Sequence, residues 1–243
     1  MKGQRIAWML FILLFVLAFS LIDIKALPSG VGGINVLSSS RYGINGGSNM
    51  TALAGNVTEL YVSANGITQT WQGYFGNVSG KIVLGDANNN TFYDWNAANP
   101  VGEIYATRSS STPTWSSIKC ANVTNVNAED AALGTNQSVA ADSVNNTFLN
   151  TTTFNSFYVG SIYIDSTSGC YATKMYNASQ QKSSSDFAEV LLSDNTNLVY
   201  TAIIDHGATG FDSRTHDFEM LVGENGHNGD IAVTPYYFYL ELG

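Results

Sequence analysis

The chain has 243 residues, and only 12% of them are charged, about half the share usual for a soluble globular protein. Asn, Ser and Thr together supply 70 residues, and 10 basic against 19 acidic residues leave a net charge of −9, which speaks against a nucleic-acid partner because phosphate binding needs clustered Lys and Arg. A hydrophobic share of 44% with 13 Tyr and 12 Phe excludes a disordered chain, and 4 Pro beside 23 Gly exclude a Pro-rich linker or collagen-like repeat.

Lys2 and Arg5 precede an apolar run over residues 6–22, 17 residues long, followed by Asp23 and Lys25. That length lies between a signal-peptide core and a membrane span. Residues 1–26 therefore read as one hydrophobic helix, either a cleaved signal peptide or a signal-anchor, with residues 27–243 outside the cell or at its surface. If the helix is kept, residues 6–22 hold the chain in the membrane and the N-terminus stays cytoplasmic. Cleavage after Ala26 would leave Ile24 where a small residue is usual. Lys2-Gly3-Gln4 before an apolar helix also resembles the processing site of archaeal type IV pilins, which implies a filament subunit. Arg5 and Trp8, where those proteins carry Glu, depart from that pattern.

Along the exported part, period-two alternation predicts strands over 57–64, 68–75, 81–84, 91–95, 102–107, 115–120, 156–165, 187–193, 198–205, 216–224 and 236–242. In the last of these Phe238, Leu240 and Leu242 oppose Tyr237, Tyr239 and Glu241. Turn residues such as Asn65-Gly66 separate the runs, and helical turns are expected only over 128–133 and near 142–148. About ten short strands predict an all-β fold, an antiparallel β-sandwich-like domain. Cys120 and Cys170 are the two cysteines of the chain, and in an exported protein they predict one disulfide.

The stretch Thr70-Trp71-Gln72-Gly73-Tyr74-Phe75-Gly76-Asn77-Val78-Ser79-Gly80-Lys81-Ile82 resembles segments of uncharacterised archaeal secreted or cell-surface proteins. So do Phe92-Tyr93-Asp94-Trp95, Gly102-Glu103-Ile104-Tyr105-Ala106 and Tyr236-Tyr237-Phe238-Tyr239-Leu240-Glu241. The resemblance implies a surface location and β architecture, and no activity or site.

Nine Asn-x-Ser/Thr sequons, at Asn49, Asn56, Asn77, Asn89, Asn122, Asn136, Asn145, Asn150 and Asn177, are expected to carry N-glycans in part. Asp86, Asn88 and Asn90 with Asp94 reproduce the first half of an EF-hand spacing and make calcium the one expected cofactor, at about 10⁻⁴–10⁻³ M. Thr91 and Ala97 stand where that motif wants its turn Gly and bidentate Glu. His206, His216 and His227, with Asp205, Asp212, Asp217 and Glu219, are the acid–base or metal candidates, in no recognised spacing. No nucleophile elbow or phosphate loop occurs, and paired carboxylates for glycoside cleavage depend on spatial rather than sequential pairing. Trp71, Tyr74, Trp95 and Trp115 are candidates for stacking on sugars. The sequence thus predicts a non-enzymatic, N-glycosylated structural or adhesive protein of the cell surface. Its expected partners are envelope components, glycans or other copies of itself, with a carbohydrate-binding module and a pilin-like subunit as alternatives.

Overall fold

The computed structural model describes residues 26–43, 46–96, 99–135, 139–182, 187–225 and 233–243. The expected N-terminal helix, His227 and Asn136 lie outside the described residues. The rest is mostly β-strand in antiparallel sheets with few helices, as the alternation predicts.

The main sheet has seven strands. In spatial order they are β1 (Ser29–Gly30), β15 (Tyr237–Leu242), β5 (Gly102–Thr107), β11 (Leu198–Ile203) and β10 (Ala188–Ser193). The outer edge of β10 pairs with β6 (Lys119–Cys120) near one end and with β9 (Ala172–Lys174) near the other. All six residues of β5 and of β10 are buried, so both faces of the sheet are covered at its centre.

On one face Ile104, Ala106, Leu191, Tyr200 and Ala202 pack under Met220 and Val222 of β14 (Phe218–Gly223). The α-helices α1 (Val123–Ala132) and α2 (Val144–Thr147) complete this layer through Val126, Val144 and the adjoining Phe148. β14 pairs along its length with β2 (Trp71–Gly76) in a separate two-stranded ribbon. On the other face Tyr105, Val190, Leu192, Val199 and Tyr239 pack under Phe154, Phe157, Val159 and Ile164. Those last residues belong to or flank the hairpin of β7 (Phe157–Val159) and β8 (Ile162–Ile164).

Local chemistry explains the helices and the main turn. Asn122 accepts from Asn125 N–H at 3.0 Å while Asn125 Oδ1 accepts from Asn122 N–H at 3.0 Å, a reciprocal cap for α1. Asp130 on α1 accepts from Val144 N–H at 2.7 Å and Asn145 N–H at 3.1 Å, so one buried carboxylate caps the next helix. Asp194 ties the β10–β11 turn by accepting from Thr196, Asn197 and Thr114 N–H groups at 2.9, 2.7 and 3.0 Å. Cys120 and Cys170 are joined, with Cα atoms 4.9 Å apart, inside the normal disulfide range.

Three strand expectations are corrected. Residues 57–64 form no strand, and Val57, Leu60, Tyr61 and Val62 stand exposed. Residues 115–120 are a 3-10 turn at Trp115–Ser117 and then a two-residue strand, because the turn closes through Ser117 N–H to Thr114 O at 2.9 Å. Residues 156–165 are a hairpin rather than one strand, reversed at Gly160 with φ +57°. The remaining strands are β3 (Lys81–Gly85), β4 (Thr91–Asn96), β12 (Ala208–Thr209) and β13 (Thr215–His216).

Candidate functional site: an aromatic face on the β3–β4 hairpin

Among the described residues β3 and β4 pair only with each other, in a two-stranded sheet of their own. Their turn is built by Asp86. Its Oδ1 accepts from Asn88 N–H at 2.9 Å and Asn90 N–H at 2.8 Å, and its Oδ2 accepts from Asn90 Nδ2 at 2.7 Å. The Asn90 side-chain bond, then the Asn90 and Asn88 backbone bonds, hold the Asp86 carboxyl below its ordinary pKa against slight desolvation. Asn89 takes the left-handed conformation at φ +65°, which Asn tolerates.

The register puts Leu84 opposite Tyr93 and Ile82 opposite Trp95, so these four side chains share one face. The pairing skips Phe92 where it shifts between Leu84 and Gly85, a bulge that leaves that ring exposed. Tyr93 and Trp95 are 58% and 50% exposed, and their ring centroids lie 4.9 Å apart at 60°. On the opposite face Lys81 Nζ meets Asp94 Oδ2 at 2.6 Å. The hairpin is thus a platform of two rings with Leu84 beside them, carrying charge on its back. The rings offer large area with polar tips at low side-chain entropy cost.

The other predicted aromatics lie elsewhere. Trp71 packs 5.9 Å from Phe148 and donates its Nε1–H to Asp142 O at 2.6 Å. Trp115 lies 5.0 Å from Tyr105 and 5.3 Å from Tyr239. Tyr74 stands edge-on to Phe238 at 5.5 Å. Tyr93 was missed as a site residue, although strand spacing puts it on the same side as Trp95. Of the calcium candidates, Asp86 spends its oxygens on the turn with Asn88 and Asn90. Asp94 sits in β4 on the Lys81 face.

The two described histidine candidates, His206 and His216, divide between two loop clamps. His206 Nδ1 meets Asp217 Oδ1 at 2.8 Å, and Asp217 also accepts from Gly207 N–H at 3.0 Å and Val78 N–H at 2.7 Å. His216 Nε2 meets Asp212 Oδ1 at 2.8 Å, and Arg214 Nε donates to Asp212 Oδ2 at 2.6 Å. Glu219 accepts from Phe211 N–H at 2.9 Å, and burial raises its pKa against that bond. Asp205 contributes its N–H to Asp217 O at 2.9 Å. Among the described residues no three His, Cys, Asp or Glu side chains are grouped to hold a metal.

Sequence reasoning also missed a carboxylate pair. Glu103 and Glu241 stand opposite each other on β5 and β15, 2% and 0% exposed. Tyr105 O–H donates to Glu241 Oε2 at 2.8 Å, and Gly160 N–H donates to Glu241 Oε1 at 2.9 Å. Burial first, then the two neighbouring glutamates, push the Tyr105 phenol far up. The pair lies under the β7–β8 layer, in the core rather than in an exposed cleft. Of the described sequon residues, Asn49, Asn56, Asn77, Asn89, Asn122 and Asn150 are exposed, and Asn145 and Asn177 are half-buried.

Comparison with known proteins finds no matching family model, no matching curated protein and no matching solved structure.

Proposed function

We propose that this chain is an exported, N-glycosylated structural or adhesive protein of the cell envelope, with no catalytic role, that touches its surroundings through the aromatic face of the β3–β4 hairpin. The observation that carries the reading is the pair Tyr93 and Trp95, co-facing, half-exposed and backed by the polar pair Lys81–Asp94. The two rings stand edge to face at 60°, and the exposed face of either suits the apolar face of a pyranose, so the contact is read as glycan stacking. Of the described candidates, Asp217 with His206, Asp212 with His216, and Glu219 hold loop turns, and Glu103 and Glu241 lie sealed in the core. The loop from Asp86 to Asn90 is read as a hairpin turn in preference to a calcium site, because its carboxylate is spent on the backbone. The body is read as sandwich-like, its sheet faced by the β14–β2 ribbon and the β7–β8 hairpin. Exposed sequons such as Asn49, Asn56 and Asn77 support decoration of an outward surface.

Native affinity gels containing cellulose, chitin, mannan or dextran test the contact. At least one polysaccharide is expected to retard the protein, and Tyr93→Ala with Trp95→Ala to weaken that retardation at least tenfold with the melting temperature unchanged. No retardation by any of the four, or equal retardation of the variant, rejects the reading.

A further inference from the structure

β1 is anchored at Ser29–Gly30 and β2 starts at Trp71, yet the described residues between them form neither strand nor helix. A long structureless excursion between two docked strands is uncommon in a compact fold and is usually either functional or a linker. Within it lies Val57-Thr58-Glu59-Leu60-Tyr61-Val62-Ser63-Ala64, rich in β-branched and aromatic residues, with one charge and no Pro. Val57 is fully exposed and Tyr61 is 95% exposed, and among the described residues this strand-forming sequence joins no sheet.

The same fold leaves one sheet edge lightly guarded. Among the described residues β2 pairs with β14 alone, and on its other side the exposed Gln72 Nε2 donates to Gly73 O at 2.7 Å. Glu224 N–H donates to Thr70 O at 2.6 Å, so by antiparallel alternation Gln72 and Tyr74 turn their backbone groups toward β14. Trp71, Gly73 and Phe75 turn theirs outward. β2 reads Trp-Gln-Gly-Tyr-Phe-Gly, without the charge or Pro that normally blunts an edge. A Cβ on Gly73 would meet only Leu221 Cδ2, at 4.0 Å, so nothing in this fold requires glycine there, whereas close approach of another backbone would. Three other edges are protected. β3 and β4 carry Lys81, Asp94 and the Phe92 bulge, Leu221 N–H of β14 is taken by Glu189 at 2.8 Å, and part of β15 is covered by β1.

We infer that residues 57–64 of one copy add as a strand to the free edge of β2 in a second copy, so that the chain assembles with itself by strand addition. Eight residues match the six of β2, a ladder of about 20 Å. Tied to β2 at Trp71, residues 57–64 lie 7 to 14 residues from that anchor and reach roughly 23–46 Å from it at full extension, enough to meet the β2 edge of an adjoining copy. Because each copy carries one donor and one acceptor, the contact is heterologous and propagates into a filament or ring. This goes beyond the envelope reading and holds whatever the hairpin binds.

The test uses the full chain in mild detergent. Light scattering at about 100 µM is expected to find assemblies, and Tyr61→Pro, which removes a ladder donor from an exposed segment, to cut the assembled fraction at least tenfold with the melting temperature unchanged. A tagged chain carrying Gly73→Cys, mixed with untagged chains each carrying one of Thr58→Cys, Leu60→Cys or Val62→Cys, is expected to give a mixed disulfide between the two species. A monomeric wild type, assemblies that survive Tyr61→Pro, or closure of the disulfide only when both cysteines sit in one chain would each overturn the proposal. Loss of polysaccharide retardation in the Tyr93 and Trp95 variants leaves these readouts untouched, so the two proposals fail separately.

Discussion

Glu189 lies in β10 at 0% exposure, accepting at Oε2 from Leu221 N–H at 2.8 Å, while Oε1 has no hydrogen-bond partner. Burial raises its pKa well above the ordinary carboxyl value, and the Leu221 bond only partly opposes this. The unfolded chain releases that proton near pH ~4.3, whereas the native state keeps it to higher pH. The stabilisation is therefore full below the unfolded value and is lost as pH rises toward the folded one, by about 1.4 kcal/mol per unit. Glu189→Gln keeps the acceptor and removes the titration. Wild type and variant are expected to melt alike near pH 4, with the variant pulling ahead as pH rises to 7. A gap that stays constant across a pH series of melting curves would contradict this. Sequence alone places Glu189 on the side of the strand opposite Ala188 and Val190. It cannot show that β14, some thirty residues on, roofs that side over.

β15 shows the opposite case at the scale of an element. Its alternation was legible, and the structure puts Phe238 and Leu240 against one core and Tyr239 against the other. What alternation could not give was the partner, because β5 lies far away in sequence and register is a tertiary property. Leu240 pairs with Ile104 and Ser29, so the strand is interior, and Glu241 and Leu242 are buried. Deleting residues 236–243 is expected to abolish cooperative melting, followed by circular dichroism; a truncated chain with a normal transition would refute it. Residues 57–64 mislead for the same reason, since they have the pattern of a strand and no partner among the described residues. β9, β12 and β13 escaped notice because two or three residues carry too little periodicity.

Across the whole molecule the disulfide spans 50 residues and links β6 to the segment before β9, two strands that share one edge of β10. Closing a loop of that size is worth about 4 kcal/mol in the chain-entropy model. Cys120→Ser with Cys170→Ser should lower the denaturation free energy by a comparable amount in urea titrations, with the midpoint falling. An unchanged midpoint would mean that the edge holds without it. This pairing was legible because an even count of two admits one connectivity. The aromatic face was half legible: Trp95 stood out by type, while Tyr93 needed the register and Trp71 and Trp115 had to be found packed. The Glu103–Glu241 pair was not legible at all, since its members are distant in sequence and meet only across a ladder.

The first described strand and the last lie side by side. Ser29 pairs with Leu240, Gly30 with Tyr239, and Val31 N–H donates to Phe238 O at 3.3 Å. A tensile load arriving from the N-terminal side therefore meets β1 before any other described strand, and β1 is only two residues long where β15 and β5 are six each. The rim gives way first, as a mechanical fuse does. The slack it pays out, continuous with the excursion that follows, absorbs the pull before the sheet behind it is strained.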